Sequence, residues 1–228
     1  MDTRQGEPLY TFRFNEVLRY SDLLAMGALR SIGLTALTAV IGLAIGTGCA
    51  LILLYGPRRA RGLVAVYVEF FRNTPFLVQL FFVFFGLASV GLRMTAWTAA
   101  ILALSVNFGA YTTEVMRAGL AAVPRGQLES AASLGLGRWD TFRNVIAFQA
   151  IRNVYPAISS YIVLLFLGSS VVSQISAQDL FYVASFIESR TFRNFETYAV
   201  VSLIYLVIVV VFRALSSLIW VTVFARRG

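Results

Sequence analysis

The sequence predicts an all-α membrane protein of five crossing helices, with its N-terminus outside and its C-terminus in the cytoplasm. Three observations carry that reading. Of the 228 residues 58% are hydrophobic and 13% are charged, whereas about a quarter of a soluble domain is charged. Five apolar stretches approach or exceed the roughly 20 residues needed to cross about 30 Å of hydrocarbon. The arginines gather in alternate connections, as cytoplasmic loops do.

The elements follow in order. The first 22 residues mix both charge signs, unlike a secretory signal. Span 31–55 carries no charge. Span 75–92 has Gln79 as its one strongly polar side chain. Residues 62–71 before it are also apolar, but a helix over 62–92 would run about 46 Å, too long without strong tilt. Arg72-Asn73-Thr74-Pro75 offers a break. Asn and Thr suit a helix cap, and Pro suits the first helical position. Residues 61–72 are therefore expected at the interface, with the crossing starting at Pro75. A continuous helix kinked at Pro75 is the alternative.

Span 95–116 holds Asn107, Tyr111 and Glu114, and span 154–175 follows a long polar connection. Residues 178–197, with Phe181, Phe186, Phe192 and Phe195 among charges, are expected to form a helix on the outer surface. It would serve as a rim for a partner or as an aromatic anchor. Span 198–224 contains Arg213, expected to snorkel toward the cytoplasm. Residues 1–228 show no internal repeat and form a single membrane domain.

Arginine sets the orientation. Arg58, Arg59, Arg61 and Arg72 lie between the first two spans, and Arg117, Arg125, Arg138, Arg143 and Arg152 between the third and fourth. The C-terminal tail holds Arg226 and Arg227. The opposite side has Arg93, Arg190 and Arg193. Arg4, Arg13, Arg19 and Arg30 run against export of the N-terminus, offset by Asp2, Glu7, Glu16 and Asp22.

Composition also excludes chemistry. All 19 basic residues are arginines, and there is no histidine. A Walker A phosphate loop needs Lys, and zincins and histidine-based triads need His. The lone Cys49 supports neither a disulfide framework nor a thiolate metal cluster. No pair of carboxylates shares a span, so no enzyme is expected, and no cofactor in this chain. The net charge of +8 is explained by membrane topology, so no nucleic-acid partner is expected.

Polar groups in hydrocarbon are costly and usually face a bundle interior. Asn107, Tyr111 and Glu114 stand at i, i+4 and i+7, on one helix face. They form a candidate pathway stripe, with Ser169, Ser170 and Ser173 past the middle of the fourth span and Gln79 and Thr74 as further candidates. The alternative is packing: Asn and Tyr join membrane helices, and Gly168-Ser169-Ser170 is a small-residue surface.

The connection 124–152 carries the most specific signal. Residues 127–134 favour helix, Gly135 suits the left-handed residue that ends one, and helix resumes over 139–150. Glu129-Ser130-Ala131-Ala132, then Gly135 and Ile146, resembles the EAA loop of ABC-importer permeases. Residues 69–80 (Glu-Phe-Phe-Arg-Asn-Thr-Pro-Phe-Leu-Val-Gln-Leu), 110–119 with 124–127, and Gln178-Asp179-Leu180 resemble the polar amino-acid branch of the same family.

The resemblance implies a binding-protein-dependent inner-membrane component of MetI-like fold, the five-helix core of type I ABC importers. It implies a multi-pass protein of the bacterial inner membrane and a second permease chain, identical or different. It also implies an extracytoplasmic solute-binding protein and ATPase subunits that bind ATP and Mg. Glu129, Ser130, Ala131, Ala132, Ser133, Leu134, Gly135 and Arg138 would dock on the ATPase. A stand-alone channel or secondary carrier is the alternative, although carriers often show inverted repeats.

Two departures from the family bear on function. Phe148 stands where the family usually has Pro, so the helix is expected to run straighter toward Tyr155-Pro156. Leu167-Gly168 stands where Lys-Asp or Lys-Asn is frequent. That implies a neutral or acidic polar amino acid as cargo, or a main site in the partner permease.

Overall fold

The computed structural model describes residues 11–224, without the side chains of Arg125, Leu128, Ala132, Arg138 and Asn144. Readings placed on Asp2, Arg4, Glu7, Arg226, Arg227 and those five side chains lie outside the described residues. All secondary structure among the described residues is helical.

A short α1 (Phe14–Leu18) leads into α2 (Ser21–Tyr55). At 35 residues, α2 is about 52 Å long, and it begins ten residues before the expected span. Helix α3 (Arg58–Arg72) follows the extended Pro57. Helix α4 (Phe76–Phe81) passes through a π-turn, Phe82–Gly86, into Leu87–Ser89.

The axes of α3 and α4 differ by 109°, so the break at Asn73-Thr74-Pro75 is complete and the gently kinked alternative is replaced. Side chains add to the hydrogen bonding of the carbonyls at the end of α3, where Glu69 O also accepts from Asn73 N at 3.2 Å. Asn73 Nδ2 donates to Glu69 O at 2.9 Å, and Thr74 Oγ1 donates to Phe70 O at 2.8 Å.

Helix α5 (Ala96–Ala121) starts at Thr95, whose hydroxyl accepts from Thr98 N at 3.2 Å. It packs along α2 over the largest helix–helix face in the chain. Gly42 and Gly46 make that face close. A Cβ at Gly42 would come within 2.7 Å of the Phe108 ring, and one at Gly46 would collide with Thr112. The Thr112 hydroxyl bonds Phe108 O within its own helix, at 2.9 Å. Small residues drawing helices together is the usual packing device in lipid.

Helix α6 (Arg125–Ser133) and the short α7 (Arg138–Thr141) form the long connection. A π-turn, Phe142–Ile146, joins α7 to α8 (Ala147–Gly168). Helix α8 runs through Pro156 unbroken, then tightens into a 3-10 segment, Ser169–Ile175. Helix α9 (Leu180–Thr191) is not merely a surface helix. It buries Leu180, Val183, Ala184 and Ile187 in a cluster with Val17, Leu24 and Val201. Phe192, with φ of 54°, turns the chain into α10 (Asn194–Ile219), which ends in a π-turn, Trp220–Phe224.

Three helical runs are long and apolar enough to cross a membrane alone: Ser21–Tyr55, Ala147–Ile175 and Asn194–Phe224. The bent pair Arg58–Arg72 and Phe76–Ser89 qualifies jointly. Helix α5 is long enough but more polar.

Candidate functional site

The α3–α4 break sets up a polar hub against α5. Gln79, the first polar residue inside α4, is buried. Its Nε2 reaches back across the break to Phe71 O (2.9 Å), Thr74 O (3.0 Å) and Thr74 Oγ1 (2.7 Å). Its Oε1 accepts from Asn107 Nδ2 at 2.9 Å. One turn further along α5, the Tyr111 hydroxyl points to Arg72 O at 3.5 Å, and the Arg72 guanidinium lies 5.8 Å over the Tyr111 ring.

Asn107 and Tyr111 face an open-sided cavity of about 300 Å³, lined also by Phe76, Tyr161, Gly168 and Val171. The structure thus brings together Gln79, Thr74, Asn107 and Tyr111.

The remaining stripe residues lie elsewhere. Glu114 pairs with Arg117 three residues on, Oε2 to Nη2 at 2.8 Å, and does not line this cavity. Ser169 is fully buried and donates to Phe166 O at 2.7 Å. Ser170 and Ser173 likewise donate to Leu167 O and Ser170 O, each at 2.8 Å. Ser170 opens on a different groove, between α8 and α10, with Tyr198, Ser202 and Tyr205. On this side of the cavity Gly168 and Val171 form the wall instead.

The segment expected from sequence to dock on an ATPase lies apart from this hub. Gly135 has φ of +72°, and no atom stands within 4 Å of where its Cβ would be. The glycine is required by backbone conformation alone. Leu136 N returns to Ala131 O at 3.1 Å and Leu134 N to Ser130 O at 3.0 Å, closing the helix end. Ser130 and Ser133 hydroxyls bond Gly126 O and Glu129 O within the helix. Glu129 is exposed and Ala131 is buried. Around the turn, Leu134 (78% exposed), Leu136 (38%) and Trp139 (69%) present apolar surface. Gln127 and Gln149 meet through their amides, tying α6 to α8.

Three residues were given no place in the candidate pathway from sequence. Arg72 and Tyr161 flank the cavity, and nothing in periodicity joins them to Tyr111. Asp179, quoted only as part of a motif, is fully buried and caps α9, its Oδ1 accepting from Tyr182 N at 2.8 Å. Its Oδ2 accepts nothing from the described residues. Burial pushes its pKa up to about 6, against the opposing pull of the Tyr182 N–H. Beside it, Leu180 N donates to Ser31 Oγ at 3.0 Å.

Comparison with known proteins gives the class of the protein. Residues 29–227 match the family of binding-protein-dependent transport system inner membrane components, and the chain belongs to that family. The chain is 35% identical over 210 residues to the octopine transport system permease protein OccM of Rhizobium meliloti, covering 85% of this chain and 83% of that one. It is 33% identical over 181 residues to the probable amino-acid ABC transporter permease protein YckA of Bacillus subtilis (strain 168), covering 78% and 80%.

A solved amino acid ABC transporter with histidines superposes with a TM-score of 0.86 at 36% identity, covering 96% of this chain and all of that one. The inward-facing MetNI methionine ABC transporter, at 19% identity, shares the fold with a TM-score of 0.74.

Proposed function

We propose that this chain is the permease subunit of an ATP-driven ABC importer for a polar amino acid, resident in the bacterial inner membrane. The observation that carries the reading is the docking turn. Gly135 in a left-handed conformation holds Leu134, Leu136 and Trp139 out from the bundle, in a chain with no nucleotide motif of its own. Exposed apolar groups on a braced turn are a surface for a partner, here separate ATPase subunits that bind ATP with Mg. A second permease chain completes the pathway, and an extracytoplasmic binding protein delivers the cargo. Nucleotide binding in the ATPases shifts inward-open and outward-open states, which the two ligation states bind differently.

In this reading five segments cross: α2, the bent α3–α4 pair, α5, α8 with its 3-10 end, and α10. The N-terminus is outside and the C-terminus cytoplasmic. Cysteine labelling on a Cys49→Ala background tests it. Position 187 is buried, so its exposed neighbour 189 reports that face. Positions 126 and 138 label only from the cytoplasm and 189 only from outside, and labelling of 126 and 189 from one side overturns the arrangement.

The cargo is neutral or acidic, or is held mainly by the partner permease. No carboxylate is among the residues lining the cavity, where Gly168 stands, and Glu114 is held by Arg117. An unpaired cationic side chain is costly in a low-dielectric passage.

The test is uptake by the complex reconstituted with its ATPase and binding protein, offered glutamine, glutamate, arginine, lysine and histidine. ATP-dependent uptake of glutamine or glutamate supports the reading. Uptake without ATP favours a carrier, and preferred arginine or lysine uptake by a homodimer, abolished by Glu114→Gln, overturns the cargo assignment.

A further inference from the structure

The wall built by α4 and α5 has a direction that its hydrogen bonds determine. Backbone carbonyls only accept hydrogen bonds. Phe71 O and Thr74 O both face one end of the Gln79 amide, so that end is the NH2. The Thr74 hydroxyl gives its proton to Phe70 O and meets the same NH2 with a lone pair. The other end of Gln79 is therefore its oxygen, again only an acceptor. The Asn107 atom 2.9 Å from that oxygen must then be nitrogen. Turning either amide over would set oxygen against oxygen.

This leaves Asn107 Oδ1. No described group donates to it, it is not sealed within the protein, and Asn107 lines the cavity.

We infer that Gln79 is a positioning residue: it turns the Asn107 carbonyl oxygen toward the cavity, so that this wall receives the ammonium end of the cargo. The rest of the wall agrees. The Tyr111 ring already draws one cation, the Arg72 guanidinium 5.8 Å from its centre, and the Tyr161 ring, 5.8 Å from that of Tyr111, lines the cavity as a second aromatic surface. The inference rests on the proposed pathway through this cavity.

The test compares wild type with Asn107→Asp in the complete reconstituted complex, using the best-transported amino acid of the panel above as labelled probe. A carboxyl at this position bonds the Gln79 oxygen only when protonated, and when ionised it holds an ammonium more tightly. Uptake by the variant should fall at least about tenfold from about pH 5.5 to about pH 8, while wild type changes less than about twofold. At the higher pH the variant complex should retain more labelled amino acid through gel filtration than wild type.

A wild-type pH profile overturns the orientation. Equal or lower retention overturns the ammonium assignment. Should Asn107→Asp fail to co-purify with the ATPase, Gln79→Leu decides. It frees Asn107 without removing it, so kcat for uptake should fall several-fold at constant KM for the loaded binding protein, and an unchanged kcat overturns the positioning role. A wild-type complex that takes up no amino acid with ATP overturns the importer reading, and this inference with it.

Discussion

Helices α6 and α9 are both short, and both close a connection between longer helices, yet they dispose of their apolar surface in opposite ways. Helix α9 has 12 residues and buries four of them inside the chain. Its first turn is capped by Asp179, and Ser31 on α2 takes the N–H of Leu180. Helix α6 has nine residues, and Ala131 is its buried side chain among those described. Its closing turn leaves Leu134, Leu136 and Trp139 in the open.

Backbone hydrogen bonds close the ends of both, so polar satisfaction does not separate them. Helices this short are marginal in isolation. Helix α9 is held by the chain's own core, whereas α6 ends on apolar side chains that the described residues leave uncovered. The first is a clamp, and under the proposed function the second is a contact.

The largest effect that would sharpen this contrast is expected from Gly135→Val. A β-branched residue is strained in the left-handed region, by about 1–2 kcal/mol, and the surrounding space is empty. The strain falls on the docking turn alone. Membrane insertion should be unchanged, while uptake and cargo-stimulated ATP hydrolysis in the reconstituted complex drop about tenfold or more. Unchanged stimulated hydrolysis would refute the role given to the turn.

Leu180→Ala should act through stability instead, costing about 2–5 kcal/mol by opening a void in a closed cluster. Thermal unfolding in detergent measures it, and an unshifted Tm would show that α9 is no clamp.

Asp179→Asn probes the same clamp through pH. The carboxyl is raised from 3.8 to about 6 in the folded chain, so the native state binds the proton more readily than the unfolded one. Stability contributed by this group therefore falls as pH rises from about 4 to about 6 and stays low above that, by about 3 kcal/mol in all. The Asn variant keeps the cap and loses that slope. Equal pH dependence in both would assign the slope to other groups.

Leu134→Ala should give the smallest stability change, within about 0.5 kcal/mol, while stimulated ATP hydrolysis falls. A stability loss matching that of Leu180→Ala would erase the distinction between the two helices.

The two sites were legible to different degrees. Gly135 and the Arg72–Pro75 break are written in local chemistry: a glycine after helix formers, and a proline after two short polar residues. But Asn73 and Thr74 bond back to α3 instead of capping α4, and Pro75 stands just before the first helical residue, Phe76. The ten residues that α2 adds from Ser21 onward are not written in local chemistry. Asp22 and Arg30 end an apolar stretch, but helical hydrogen bonding continues through them.

The pathway stripe was half legible. Spacing placed Glu114 on the face of Asn107, yet Arg117 one turn on captures its carboxylate. Ser169, Ser170 and Ser173 bond carbonyls three residues back, as helical serines commonly do, so a serine in a span says little about what the span lines. Gln79, a minor candidate from sequence, is the hub because its partners lie across a 109° bend, which no helical period encodes.

The π-turn at Phe142–Ile146 has a consequence for how the docking turn is aimed. Such a turn holds one residue more than the α-turn it replaces, and one residue is about 100° of rotation around a helix. The faces before and after it are therefore out of phase. Trp139 stacks toward Phe142, with ring centres 6.0 Å apart, while Phe148 meets Phe224 at 5.8 Å on the bundle. Deleting one residue from 142–146 would restore an α-turn over nearly the same arc and leave Trp139 close to its bearing, whereas a deletion in the regular part of α8 would swing it by about 100° relative to the rest of the membrane helix. The bearing of the Gly135 turn is thus protected by a spare residue: the π-turn absorbs a one-residue change that a regular helix would pass on as a rotation of about 100°.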